Sequence, residues 1–307
     1  MIDHIRRVDI DSIVRLARGA LVRVRRGGRV GVGECAPLPG RSPDTIDACV
    51  RALETARALH DVPASLPAAR FALETALADL DAQERGCSVA GVLAAAPHAV
   101  LPCSAVVRLG GSSDAGTWKV KIGAGRVEDE VAQLHAVPAG VRLRLDVNRR
   151  WDRDTAARAL PLLAALSPEW VEEPMPAREL VALGPPPVPI ALDESVLDDP
   201  DATMAALDRG LVRALVLKPA VLGGLAACAR WAARARTAGA VPIVSHLFDG
   251  PVALAACIEL ALALAQPGDP APGLGRHDGL GDWPPVDIPQ LRGVTLVSHR
   301  PGLGVAP

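Results

Sequence analysis

The chain has 307 residues, half of them apolar, and a formal charge of −2 with acids and bases interspersed. This size supplies a buried core for one large domain or two, and the charge balance gives no footing for a nucleic-acid or membrane-surface partner. Six scattered cysteines without a CxxC pair, a Met1–Arg7 start without an apolar signal core, and a longest apolar stretch (Pro251–Ala265) that contains Glu259 and is shorter than the ~20 residues of a membrane span predict a soluble cytoplasmic protein with reduced, buried thiols.

Leu21-Val22-Arg23-Val24-Arg25 alternates apolar and basic residues, Gly27-Gly28 turns the chain, and Arg29–Glu34 returns. That pattern predicts a β-hairpin in an α+β unit. Ala36–Ser42, with two Pro and one Gly, reads equally as a connector or as a lid. Ser42-Pro43 is the expected N-cap and first turn of a helix running to Leu59. A second helix starts near Ser65, with Pro67 in its first turn, and stops near Gly86. Ala69, Leu73, Ala76, Leu77 and Leu80 form its apolar stripe.

Leu101–Val107 reads as one apolar strand, followed by Gly110-Gly111-Ser112-Ser113. The interval to the next strand at Trp118 is too short for a crossover helix, so this first unit is degenerate. From there, short apolar runs end repeatedly in a polar group. Trp118–Val120 ends at Lys121, Val141–Leu145 at Asp146, Trp170-Val171 at Glu172, Pro189–Leu192 at Asp193, Ala214–Leu217 at Lys218, and Val241–Val244 at Ser245 and His246. The steps between these groups are 25, 26, 21, 25 and 27 residues, close to the roughly 30 of a βαβ unit. Each step is one strand, one helix and two loops. Helices are expected from Asp152 or Asp154, with Pro161 kinking the helix or shifting its start, after Asp199-Pro200, over Gly224–Ala238 up to Gly239, and after Gly250-Pro251. The Pro/Gly-rich chain beyond Gln266 predicts a last short strand, irregular coil and a tail that returns to the first domain.

Neighbouring strand ends at the carboxyl face of a barrel lie about 5 Å apart, so Asp146, Glu172 and Asp193 can converge. Three like charges repel unless a cation neutralises them, and an all-oxygen set favours Mg2+ over zinc or copper. One acid at a strand end is ordinarily a loop residue or a helix cap; three in phase are harder to explain that way. Lys119 and Lys121 share one side of a strand, and cationic neighbours with desolvation are expected to lower the lysine pKa toward that of a general base. The chain has three lysines, all on this pattern, against thirty arginines. Arginine cannot deprotonate, which accounts for lysine being kept at these positions. Lysines across a site from a carboxylate cluster suit abstraction of a proton α to a carboxylate, with the metal stabilising the enediolate. The substrate is therefore a small-molecule carboxylate.

These motifs resemble the muconate-lactonising subgroup of the enolase superfamily. They are Lys119-Val120-Lys121, Asp146-Val147-Asn148, Glu172-Glu173-Pro174, Asp193-Glu194-Ser195, and Lys218-Pro219 with Gly223-Gly224. Gly31–Gly40, in its Gly-x-Gly-Glu-x-Ala-Pro-Leu-Pro-Gly pattern, and Leu143–Arg149 with Trp151 are most similar to the subgroup's dehydrating members. The resemblance implies an α/β fold, a (β/α)7β TIM-like barrel with an N-terminal α+β capping domain. Residues 1–97 would form the capping domain, 98–285 the barrel, and 286–307 a tail packing back on the capping domain. It further implies Mg2+ on Asp146, Glu172 and Asp193, Lys121 as the base of a syn dehydration, and Lys218 stabilising the enediolate from the opposite face. Lys119 would tune Lys121 and contact the substrate carboxylate, and Arg144, Asn148 and Glu173 would be supports. The same residues leave racemisation, epimerisation and cycloisomerisation open, and a non-catalytic binding barrel is a remote alternative. Relatives often carry a Ser-rich segment after the seventh strand. Here Ser245-His246-Leu247-Phe248-Asp249-Gly250 departs from it, which bears on the substrate contacts of Ser245 and His246. The chain before the first hairpin is also short, so a reduced lid is expected there.

Overall fold

The computed structural model describes residues 8–305, so Met1–Arg7, on which the reading of no secretory signal rests, lie outside the described residues. The chain divides into two compact units. One gathers the described residues up to Pro102, Lys218–Arg230 and the chain from Val244; the other holds Cys103–Leu217 and Trp231–Ile243.

In the first unit, β1 (Ile10–Arg15), β2 (Ala20–Arg26) and β3 (Arg29–Cys35) form an antiparallel sheet in that order. The expected hairpin is β2–β3, turned by Gly27 and Gly28 at positive φ. α1 (Ile46–Thr55) is capped by Thr45, whose Oγ1 accepts from Ala48 N. Ser42, the expected cap, instead accepts from Leu38 N at 2.8 Å and closes the Pro-rich loop on itself. α2 (Pro67–Arg85) runs as expected and ends on left-handed Gly86. It lies directly on β3. A Cβ at Gly31 would stand 2.1 Å from Ala76 O, and one at Gly33 1.8 Å from Ala72 O. The Gly-x-Gly of β3 is therefore a requirement of backbone-to-backbone packing.

α3 (Val89–Leu93), α11 (Pro251–Leu264) and a sheet of β12 (Leu291–Arg292), β13 (Thr295–Val297) and β4 (Val100–Pro102) complete this unit. The expected single strand Leu101–Val107 is thus two. Pro102 has no N–H to continue a ladder, so β4 pairs antiparallel with β13, and a new strand starts at Ala105. Buried acids tie the unit together. Glu34 accepts from Gly250, Val252 and Ala253 N–H at the start of α11. Glu74 of α2 accepts from Leu225 and Ala226 N–H. Glu259 takes Ala90 and His299 N–H, and Asp79 takes Val32 and Leu303 N–H. These are donors that a buried helix start or loop would otherwise leave orphaned.

The second unit is organised by a seven-stranded sheet in sequence order. Its strands are β5 (Ala105–Val107), β6 (Thr117–Lys121), β7 (Arg142–Asp146), β8 (Trp170–Glu172), β9 (Ile190–Leu192), β10 (Ala214–Leu217) and β11 (Val241–Val244). β5 through β10 pair in parallel. No helix joins β5 to β6, as the short interval predicts. Later crossovers of this unit carry α4 (Val127–Leu134), α5 (Arg153–Ala164), α6 (Ala177–Leu183), α7 (Glu194–Asp198) and α8 (Pro200–Asp208), while α9 (Pro219–Leu222) and the start of α10 (Leu225–Thr237) belong to the first unit. Asp152 caps α5 through Thr155 N, so Pro161 sits inside that helix without moving its start. In the first unit Ser245 makes an isolated parallel bridge with Gly273. The strand–helix order along the chain is that of the α/β barrel of TIM type. All six cysteines are free thiols, five of them buried. Among the described residues no helix is long and apolar enough to cross a membrane.

Candidate active site

The register of the parallel sheet assembles the site. Lys119 pairs with Arg144 and Lys121 with Asp146 across β6–β7; Arg144 pairs with Trp170 and Asp146 with Glu172 across β7–β8. Glu172 then pairs with Ala191, two residues before Asp193. Side chains alternate along a strand, so Lys119 and Lys121, Arg144 and Asp146, and Trp170 and Glu172 share one face. Trp170, Ala191, Ala214 and Ile243 pack as a buried floor, where two alanines leave room for the indole. The Arg144 guanidinium lies over the Trp170 ring at 4.1 Å, and its Nε donates to Glu169 at 2.6 Å. Arg144 therefore braces the floor beneath the carboxylates, and burial lowers its pKa.

Asp146, Glu172 and Asp193 are all buried. Lys119 Nζ stands 2.6 Å from Glu172 Oε1 and 3.0 Å from Asp146 Oδ2. Burial pushes Glu172 up to about 8, with Lys119 pulling against it and Asp146 and Asp193 adding to it. Burial also works against the charge on Lys119, but Glu172, Asp146 and Asp193 outweigh it and hold Lys119 above the ordinary lysine value. The expected lowering of the lysine pKa does not hold at Lys119, because its neighbours are acids more than cations. Lys121, the last residue of β6, is exposed.

Among the described residues, no three His, Cys, Asp or Glu side chains close on one point as a metal-ligand group. Lys119 occupies the position between two of the three acids. Three buried carboxylates facing one ammonium still carry surplus negative charge, and the donors are all oxygen. This donor set fits a hard divalent cation, which would replace Lys119 as the counter-charge.

A second tier fixes the acids. Glu173 is fully buried and takes a left-handed φ of 41°. It accepts from Asp193 N at 2.7 Å, from Ser195 N and Oγ, and from Arg149 Nε at 2.7 Å. Burial pushes its pKa up to about 7. Asn148 N donates to Asp146 Oδ1, and its Nδ2 reaches Glu194 at 3.5 Å. Asn148 and Arg149 are consecutive left-handed residues (φ 49° and 58°), a turn that brings both back over the strand ends. Arg149 and Ser195 enter the sequence reading only as members of motifs, without a role, and Glu130 does not enter it. Arg149 also binds Asp198, Ser195 Oγ accepts from Ala177 N, and Glu130 takes the N–H groups of Gly123, Ala124 and Gly125 beyond β6. Their signal was adjacency to the motif residues; for Glu130 there was none.

Lys218, Ser245 and His246 fall in the first unit. Lys218 is the residue between β10 and α9. Ser245 Oγ donates to Gly273 O at 3.1 Å. His246 Nδ1 accepts from Phe248 N, and its ring stacks on His277 at 4.2 Å.

The profile of the "Enolase C-terminal domain-like" family matches residues 105–307. The chain is 30% identical over 298 residues to o-succinylbenzoate synthase of Proteus mirabilis, covering 89% of this chain and 88% of that one. Among solved structures it is similar to a dipeptide epimerase from Methylococcus capsulatus complexed with Mg ion, at 26% identity and TM-score 0.80 over 98% and 99% of the two chains. The muconate lactonizing enzyme from Pseudomonas putida shares the fold, at 23% identity and TM-score 0.78 over 98% and 96%.

Proposed function

This chain belongs to the enolase superfamily, in its muconate-lactonising subgroup, and on that premise we propose that it is an o-succinylbenzoate synthase. It would act in menaquinone biosynthesis on 2-succinyl-6-hydroxy-2,4-cyclohexadiene-1-carboxylate. The observation that carries the reading is the register that sets Lys121, Asp146 and Glu172 side by side at three consecutive strand ends. The similarity to the Proteus mirabilis synthase over most of both chains supports it.

Asp146, Glu172 and Asp193 would hold Mg2+, which when bound supplies positive charge to the substrate carboxylate. Lys121 takes the proton from the carbon α to that carboxylate and then passes it to the departing hydroxyl on the same face. One C–H and one C–O bond break, a ring double bond forms, and water leaves, giving syn dehydration to the aromatic product. Lys218 contributes its ammonium charge to the enediolate. Lys119, displaced from the acids, contacts the substrate carboxylate. Glu173, Asn148 and Arg149 keep Asp146 and Asp193 in place, and Arg144 supports the floor. Ser245 and His246 would contact the succinyl or ring side of the substrate.

Lys121→Ala tests the assignment. The variant should keep the wild-type circular dichroism and lose dehydration to background, a drop of about a thousandfold or more. Near-normal turnover would remove Lys121 from the role of base. A second reading, epimerisation of a dipeptide or N-acylamino acid, draws on the likeness to the dipeptide epimerase, since two lysines could serve as two bases.

A further inference from the structure

We propose that Glu130 is the positioning residue of Lys121: its carboxylate fixes the loop on which the chain leaves the base. The proposal rests on the synthase reading for the role of Lys121 and on the second unit alone for its geometry. Lys121 is the last residue of β6 and is exposed. Its ammonium has no hydrogen-bond or ion-pair partner among the described residues. Lys119 is held through its side chain by Glu172 and Asp146; Lys121 is held only through its backbone. On the amino-terminal side the β6–β7 ladder does this, with Lys121 in register with Asp146. On the other side the strand has ended, and the loop itself must be fixed.

That loop is clasped by one acid. Ile122 is buried, and its N–H donates to Asp146 O at 2.9 Å. The next three N–H groups all go to Glu130. Gly123 N donates to Oε2 at 2.8 Å, and Ala124 N and Gly125 N donate to Oε1 at 3.1 and 3.0 Å. Glu130 is 5% exposed and lies at the start of α4, where its own N–H donates to Arg126 O at 3.1 Å. The carboxylate is therefore carried by a formed helix turn. Hydrogen bonds to an ionised acceptor are roughly twice as strong as neutral ones. On the opposite side, Gly123 has φ 83°, and a Cβ there would stand 3.1 Å from Val147 Cγ1 and 3.2 Å from Trp151 Nε1. The loop is thus pressed between Glu130 and the turn that follows Asp146. This ties the base to the strand end that carries a candidate metal ligand.

Proton transfer tolerates little misplacement; an error of about 1 Å costs on the order of a hundredfold in rate. In Glu130→Gln the amide keeps one acceptor oxygen and replaces the other with a donor, so at least one of the three N–H groups loses its partner. The chain has three lysines, so side-chain NMR of lysine-labelled protein resolves them, with Lys121→Met assigning the signal. In Glu130→Gln the Lys121 signal should be displaced, with Lys119 and Lys218 unmoved. An unmoved Lys121 signal in the folded variant, or an equal displacement of all three, overturns the proposal. Should Glu130→Gln not fold, Glu130→Asp carries the same reading, since its shorter arm keeps the charge and loses reach. Amide exchange of the wild type needs no variant. Gly123, Ala124 and Gly125 should be protected, and open-chain rates at these three overturn the proposal equally.

In the synthase assay Glu130→Gln should lower kcat about ten- to a hundredfold with KM little changed. Glu130→Gln with Lys121→Ala should lose no more than Lys121→Ala alone. Additive losses, or a raised KM with kcat unchanged, would leave Glu130 a purely structural role and overturn the proposal. The lysine signals and the amide exchange need no substrate, so failure of the synthase assay leaves those results standing. Near-normal turnover by Lys121→Ala would remove the base reading and not the clasp.

Discussion

At Lys119 the neighbouring acids reverse the expected direction of the pKa. Its spacing from Lys121 and the scarcity of lysine put it at the site. The direction of its pKa is not legible in the lysine spacing, because it is set by ion pairs to Asp146 and Glu172. Lys119→Met leaves buried acids without their ammonium and should destabilise the metal-free protein by about 3 kcal/mol. Saturating Mg2+ should narrow that gap if, as proposed, the cation takes over the same carboxylates. Urea unfolding in chelator and in Mg2+ measures both, and a gap indifferent to Mg2+ would separate Lys119 from the metal ligands. Glu173 and Asn148 were legible from their motifs. Arg149 and Ser195 were not, since their value lies in hydrogen bonds to Glu173 that only the folded turn creates.

Among the elements, long periodic segments were legible and their ends were not. α2 and α11 follow their apolar patterns. β1 was not read, because Ile10–Arg15 lacks clean alternation and its pairing with β2 is interrupted at Ile10/Ser12. The start of α1 was placed three residues early, since Ser42 and Thr45 are both good caps and only the loop's own hydrogen bonding decides between them. Gly223-Gly224, noticed as a motif, has a physical cause. Gly224 has φ 103°, and a Cβ there would stand 2.1 Å from Glu74 Oε2. Gly224→Ala should therefore cost about 2–4 kcal/mol in thermal or urea unfolding. Glu74 itself carries a pH signature. Burial pushes it up to about 7, so the folded state holds a proton that the unfolded chain has released. Its contribution is full below the ordinary glutamate pKa and is lost as pH rises through 7. Relative to Glu74→Gln, the wild type should lose on the order of 3 kcal/mol between pH 4.5 and pH 8. A difference between the two proteins that stays flat with pH would contradict the burial argument.

For the whole molecule, the period of strand ends was legible because each strand is short, apolar and closed by one polar group. The three-dimensional grouping was not. Nothing in the residue pattern marks Lys218–Arg230 as part of the first unit; Glu74, far earlier in the chain, holds Leu225 and Ala226 there. The metal assignment has a global readout. Mg2+ at a hundredfold excess over its Kd should stabilise the wild type by about 2.7 kcal/mol, and Asp193→Asn should abolish most of that gain. The most direct test of the account is turnover itself. Purified protein with Mg2+ is given the hydroxycyclohexadiene carboxylate and, separately, N-succinyl amino acids and dipeptides. The account predicts efficient dehydration of the first to the aromatic acid. Turnover of only the amino-acid substrates would contradict it.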